Sequence, residues 1–176
     1  MRLIIAAIVS GLLLVSCKKT VDNLPDPTES GNNTFGAKVD GDMWVPQSFG
    51  PFHSSNILEA RYLGYNFFLV AQNFSSSPVE TEFDIRLFNI TTPGTYLLNT
   101  NTAHPSNYAN YGYFVKRNFS PINEWITSAT NTGAVTITRL DTINRVIAGT
   151  FQFQAGEIYN SAPVLNVTEG RFDVKY

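Results

Sequence analysis

Apolar and polar side chains alternate along much of the chain after residue 34, which is the period of a strand with one buried face. Phe172, Val174 and Tyr176 alternate with Arg171, Asp173 and Lys175, and Phe83, Ile85 and Leu87 with Glu82, Asp84 and Arg86. Ile147, Phe151 and Phe153 face away from Gln152 and Gln154, and Val135 and Ile137 alternate with Thr136 and Thr138. Ala37-Lys38-Val39 and Met43-Trp44-Val45 flank Asp40-Gly41, a pair suited to positive φ at both turn positions, which predicts a tight hairpin with Trp44 as a plug of the core. Further breaks at Gly64, Ser75 to Pro78, Thr91 to Gly94, His104 to Asn110, Asp141 to Asn144 and Ala155 to Pro163 space the strands roughly ten residues apart. The expected fold is therefore all-β: an antiparallel β-sandwich or flattened β-barrel of about nine or ten strands. Pro121 to Ser128 (PINEWITS), with Pro at its first position and Glu124 in its first turn, predicts at most one short helical turn.

The first residues follow a different pattern. Met1-Arg2 supplies one positive charge, and Leu3 to Val15 is an apolar run of 13 residues. As a helix it would span about 20 Å, short of a hydrocarbon core of about 30 Å, so it reads as a secretory signal and not a retained span. Leu14-Val15-Ser16-Cys17 resembles the lipobox of bacterial lipoproteins, in which cleavage precedes the Cys and the Cys is acylated. Residues 1–16 are thus expected to be a signal peptide and Cys17 the lipid attachment point. Several acyl chains, at about 0.8 kcal/mol per buried CH₂, make such an anchor effectively permanent. Lys18 to Asn33 holds one Val and one Leu among Pro, Asp, Ser, Gly and Asn, so residues 17–33 read as a lipidated flexible tether extending up to about 50 Å. Residues 34–176 then form a single β domain.

Composition removes several classes of function. With 43% hydrophobic residues, 23 aromatics among 176 residues and average Gly and Pro, the chain can build one packed core. A net charge of -2 leaves no basic footprint for nucleic acid. One Cys and two His rule out a disulfide framework and a Cys/His zinc cage. Asp40-Gly41-Asp42 lacks the ligand series of a calcium loop, so no metal and no cofactor are expected.

The segments FGAKVDGDMWVP (Phe35 to Pro46), GAVTITRLDTINRVIAGTFQFQA (Gly133 to Ala155) and VTEGRFDVKY (Val167 to Tyr176) resemble a family of Bacteroidota lipoproteins to which no activity is assigned. The resemblance implies a β-rich domain behind a lipobox and carries over no ligand or catalytic residue. Gly170 in the closing segment suits a bend or bulge, and Arg171 and Asp173 are placed to pair with neighbouring strands. Asp141-Thr142-Ile143-Asn144 has the composition of a tight turn. It also resembles the acceptor pattern for O-glycosylation of exported Bacteroidota proteins, which makes Thr142 a candidate modification site.

Candidate chemistry is sparse. His53 and His104 lie in loop-like segments near serines, but no GxSxG elbow accompanies them, so both are expected to be solvated and the protein to be no enzyme. Glu80, Glu82 and Asp84 share a strand face with about 7 Å between successive side chains and read as its solvated side. Tyr108, Tyr111 and Tyr113 behind an Asn-rich loop, with Phe49 and Phe52 in another, are the candidate ligand-binding aromatics; the alternative places Tyr111 and Tyr113 on one strand face and Phe114 in the core. The expected function is that of a monomeric, non-enzymatic envelope lipoprotein of the outer membrane that binds a protein or glycan partner. A lipid- or small-ligand-binding β-barrel and a hydrolase using His53 or His104 are the alternatives. Lys18-Lys19 after the anchor leave periplasmic against surface-facing display open.

Overall fold

A computed structural model describes residues 21–49, 56–76, 78–118, 122–159 and 163–176. Among the described residues there are eleven strands and no helix: β1 (Thr34–Val39), β2 (Asp42–Trp44), β3 (Leu58–Leu63), β4 (Asn66–Ser76), β5 (Val79–Leu87), β6 (Gly94–Leu98), β7 (Tyr111–Arg117), β8 (Asn123–Ile126), β9 (Gly133–Asp141), β10 (Val146–Glu157) and β11 (Leu165–Lys175). All pair antiparallel. The expected fold class holds, with a strand or two more than anticipated. PINEWITS corrects the expectation of a helical turn: its middle is β8, because Trp125 and Ile126 gain ladder partners on β7 and β10 that outweigh local propensity. Its Pro121 lies outside the described residues.

The strands form one continuous sheet folded over on itself. One layer runs β2-β1-β11-β10-β9-β6 and the other β8-β7-β5-β4-β3. β10 makes the corner: Val146–Phe153 pair with β9, while Gly156 and Glu157 of the same strand pair with β8. The alternating apolar positions read from sequence point into the space between the layers. There Phe35, Trp44, Phe83, Phe114, Phe151 and Phe153 meet at ring-centroid distances of 4.8–6.2 Å. Trp44 is the expected plug, edge-on to Phe83, with its indole N–H donated to Thr81 at 2.8 Å. Asp40 and Gly41 both take positive φ (51° and 94°) in the β1–β2 hairpin, as their residue types require.

Near Gly170 the register slips: Phe151 pairs with Gly170 but Phe153 with Val167, and Glu169 in the bulge has φ 52°. Gly170 does more than permit the bulge, since a Cβ there would come within 2.5 Å of the Phe151 ring. Gly170→Ala is expected to destabilise the protein by about 1–3 kcal/mol through overpacking, read as a lower urea midpoint at unchanged m-value.

Residues 24–33, within the segment expected to be a flexible tether, are held against the domain. Asp173, 1% exposed, accepts hydrogen bonds from the Thr28 hydroxyl (2.6 Å) and the backbone N–H groups of Ser30 (2.9 Å), Gly31 (2.6 Å) and Asn32 (3.2 Å). Arg171 donates to the Pro25 carbonyl at 3.3 Å, Arg139 to that of Glu29, and the Lys175 N–H to the Asn33 side chain at 2.9 Å. Arg171 and Asp173 therefore hold this strap and not a neighbouring strand. Leu24 and Pro25 also pack against Gly36, but composition could not show the strap, because its apolar residues are few and most of its hold comes from polar bonds to distant residues. Burial alone would raise the Asp173 pKa, but the four donors overcome it and hold the carboxyl below its ordinary value. This contribution is present at neutral pH and is lost as pH falls below the ordinary Asp value and through the lowered native one. Asp173→Ala is expected to cost about 2–4 kcal/mol at pH 7 and to open residues 24–33 to limited proteolysis under conditions where the wild type resists.

Candidate functional site

The second layer turns Phe67, Leu69, Phe83, Ile85 and Phe114 inward, so their neighbours form its outer face. Cross-strand register arranges that face in rows. Arg61, Phe68, Arg86 and Tyr111 make one row, and Glu59, Val70, Asp84, Tyr113 and Ile126 the next. Gln72, Glu82, Val115 and Glu124 make a third.

Glu82 and Asp84 are not the solvated carboxylates that alternation predicted. Asp84 is only 3% exposed and bound by Arg86 through Nε (3.1 and 3.2 Å) and Nη2 (2.9 Å). Glu82 is gripped by both terminal nitrogens of Arg117 at 3.1 Å and by the Gln72 amide at 2.7 Å. The Arg86 guanidinium lies 5.6 Å from the Phe68 ring centre and 5.8 Å from that of Tyr111, a cation held between aromatics. Burial pushes the Asp84 pKa up, although Arg86 opposes it through a hydrogen bond and its charge.

The loop between β6 and β7 covers one half of this face. His104 stacks flat on Tyr113 (3.8 Å between ring centres, 8° between planes). Its Nδ1 sits 3.1 Å from the Tyr111 hydroxyl and 3.7 Å from Asp84. The Ser106 N–H donates to the same hydroxyl at 3.3 Å, and the Asn110 side chain accepts from the Phe88 N–H at 2.7 Å. Tyr113 donates to Glu124 at 2.7 Å. His104 is thus not a solvated loop histidine. Burial and the Asp84 charge push the Tyr111 pKa up to about 12, so its hydroxyl stays protonated.

The candidate aromatics occupy separate environments. Tyr111 and Tyr113 are buried under the loop with Val115 and Ile126, while Phe114 faces the core. Tyr108 on the loop is 76% exposed, and Phe49 beyond the Gln47–Asn73 bridge is 60% exposed. Phe52, His53 and Cys17 lie outside the described residues. Thr142 is exposed in the β9–β10 turn, which Asp141 ties by accepting from the N–H groups of Ile143 (3.1 Å) and Asn144 (2.8 Å). Among the described residues no three acidic, imidazole or thiol groups converge as a metal site requires.

The other half of the face is open. Glu59, Arg61, Leu63, Phe68, Val70, Asp84 and Arg86 line a groove of about 390 Å³ there. None of these residues was singled out as a ligand contact from sequence. The available signal was β4, where Phe67 to Ala71 is apolar on both faces, implying an outer side that is more than a solvated surface.

Residues 77–174, more than half of the chain, match the family described as a domain of unknown function (DUF6252). The chain belongs to this family. The DUF6252 span runs from the entry of β5 to the end of β11, so it contains Asp84, Arg86, His104, Tyr111 and Tyr113. β1 to β4, with the groove residues Glu59, Arg61, Phe68 and Val70, precede it, as does the Phe35 to Pro46 segment. No curated protein and no solved structure matches the chain.

Within the DUF6252 span the loop is expected to respond to acid through His104. Burial lowers its pKa below the ordinary 6.5; Asp84, Glu124 and Glu82 oppose that shift and Arg86 reinforces it. The unfolded chain then takes up the proton more readily, so stability declines as pH falls from about 6.5 toward the lower native value. Asp84, with a raised pKa, acts in the opposite sense in the more acidic range above 3.8. His104→Phe keeps a ring on Tyr113 without a titrating group. Its urea midpoint is expected to change less between pH 7.5 and 5.5 than that of the wild type; equal slopes would show that His104 does not couple the loop to pH.

Proposed function

We propose that this protein is a non-enzymatic envelope lipoprotein, anchored through an acylated Cys17, whose second-layer outer face binds a protein or glycan partner. The observation that carries the binding reading is the Asp84–Arg86 pair. A desolvated ion pair adds little to stability and often subtracts from it. Here it lies outside the main core, fixed by Tyr111, Phe68 and the Ser106 carbonyl, beside an open groove. Such a pair gives a partner charged groups already in place. The space between the layers is filled by aromatic rings in mutual contact, which favours a surface partner over a ligand carried inside. His104 is engaged by Tyr111 and Tyr113, which supports recognition over hydrolysis.

The strap sharpens the picture of the anchor. With Leu24 and Pro25 against Gly36 and Pro25 held by Arg171, six residues (18–23) lie between Cys17 and the body, a reach of about 20 Å, less than half that of a fully free tether. The outer membrane is the proposed location. Thr142, exposed and clear of the groove residues, is the proposed O-glycan acceptor.

Two measurements test this. Detergent-phase partitioning of the native protein should retain the wild type with its acyl mass and release Cys17→Ser to the aqueous phase. With the acylated full-length protein as bait, Arg86→Ala and Arg61→Ala, the latter at an exposed position, should each lower partner recovery at least tenfold, and Thr142→Ala should leave it unchanged. Equal recovery by all three would overturn the assignment of the face.

A further inference from the structure

Resting on the reading of this face as a binding surface, we infer that the groove of Glu59, Arg61, Leu63, Phe68, Val70, Asp84 and Arg86 takes an uncharged saccharide unit of a glycan. The first argument is charge. The groove holds two acids and two bases, and they are paired with one another: Arg61 Nε donates to Glu59 at 2.7 Å, and Arg86 binds both Asp84 oxygens. An anionic or cationic ligand would bring a charge into a groove whose charges already neutralise one another, and could gain a full counter-ion only by breaking one of these pairs, leaving the displaced group exposed or, for Asp84, buried and unpaired. A neutral polyol breaks nothing.

The second argument is the hydrogen-bond inventory. A guanidinium carries five N–H donors in one plane. Arg86 commits Nε and Nη2 to Asp84 and Nη1 to the Ser106 carbonyl at 3.4 Å, which leaves donors on its terminal nitrogens. Arg61, with a side chain 72% exposed, is bound to Glu59 through Nε and Nη2 alone. Glu59 accepts both of those bonds at a single oxygen, Oε1. The groove therefore offers fixed donors on two strands and a carboxylate acceptor at its edge, the combination that adjacent sugar hydroxyls, each donor and acceptor at once, satisfy. Between these polar groups, Val70, Leu63 and the rim of Phe68 give an apolar floor for the C–H face of a pyranose ring.

Size and site agree. A groove of about 390 Å³ falls at the lower end of the roughly 300–1,000 Å³ of small-ligand sites, which suits one or two rings of a chain that continues along the surface. The contacts are side chains on a sheet face, held by cross-strand register, whereas a peptide recruited by strand addition would use the main-chain edge of β3.

The test is an array of cello-, manno-, xylo- and chito-oligosaccharides, with oligogalacturonates as charged controls, probed with the acylated full-length protein in mild detergent. Hits are followed by calorimetry. Binding to at least one neutral series is expected, with affinity changed less than twofold between 50 and 500 mM NaCl and lowered at least tenfold in Arg61→Ala and in Glu59→Gln. Arg61 is exposed and Glu59 half-buried, and circular dichroism checks that each variant is folded. Preference for the oligogalacturonates, with affinity falling steeply in salt, would overturn the inference. So would silence of every neutral series while the same bait captures a protein in an Arg61-dependent way, which would leave the binding face standing. Silence of the array together with Arg61-independent capture would overturn both.

Discussion

Because β10 pairs with β9 along most of its length and with β8 at its end, the two layers share one backbone, and neither can move without straining the other. Phe151 and Phe153, on the stretch just before the corner, face Phe83 across the core, so the corner also sets which rings meet. The outer face of the second layer inherits its rigidity from this arrangement. Its rows of side chains are spaced by ladders whose inner faces are locked into a close-packed aromatic core.

That rigidity is what makes the charged groups on the outer face affordable. Asp84 loses most of its hydration, yet Arg86 reaches it in a fork, and Phe68 and Tyr111 hold the guanidinium in place. The covering loop adds His104 and Ser106 above Tyr111. One half of the face is thereby sealed and the other left open, and the Asp84–Arg86 pair lies on the boundary. Arg86 thus touches both the loop, through the Ser106 carbonyl, and the groove beside it.

Most of the fold was legible in sequence because its signals are local. The alternation at Phe172, Val174 and Tyr176, the Asp40-Gly41 turn and the Trp44 plug depend on residues within a few positions of one another. PINEWITS misled for the same reason: a Pro start and an early Glu are local helix signals, and the competing strand is defined by its pairing with the preceding β7 and with the end of β10, about thirty residues on. The site was far less legible. Glu82 and Asp84 alternate with apolar residues as a solvated face would. Arg86 is local to Asp84, but the other groups that desolvate and bind this pair of acids lie on other strands and on the β6–β7 loop: Gln72, His104 and Arg117. The strap was hidden more deeply, since its partner Asp173 lies more than 140 residues further on. Composition describes what a segment can bury by itself, and these residues are ordered by what others supply.

The strap also decides where the folded unit begins. A recombinant version trimmed at residue 34, the first residue of β1, would remove all four donors from the Asp173 carboxylate and leave it inside β11 facing bare solvent or nothing at all. Such a fragment would start its life with a weakened terminal strand and a frayed β1 beside it. Cutting ahead of Leu24 preserves the whole arrangement, so the natural unit for biophysical work is about ten residues longer than alternation alone would suggest.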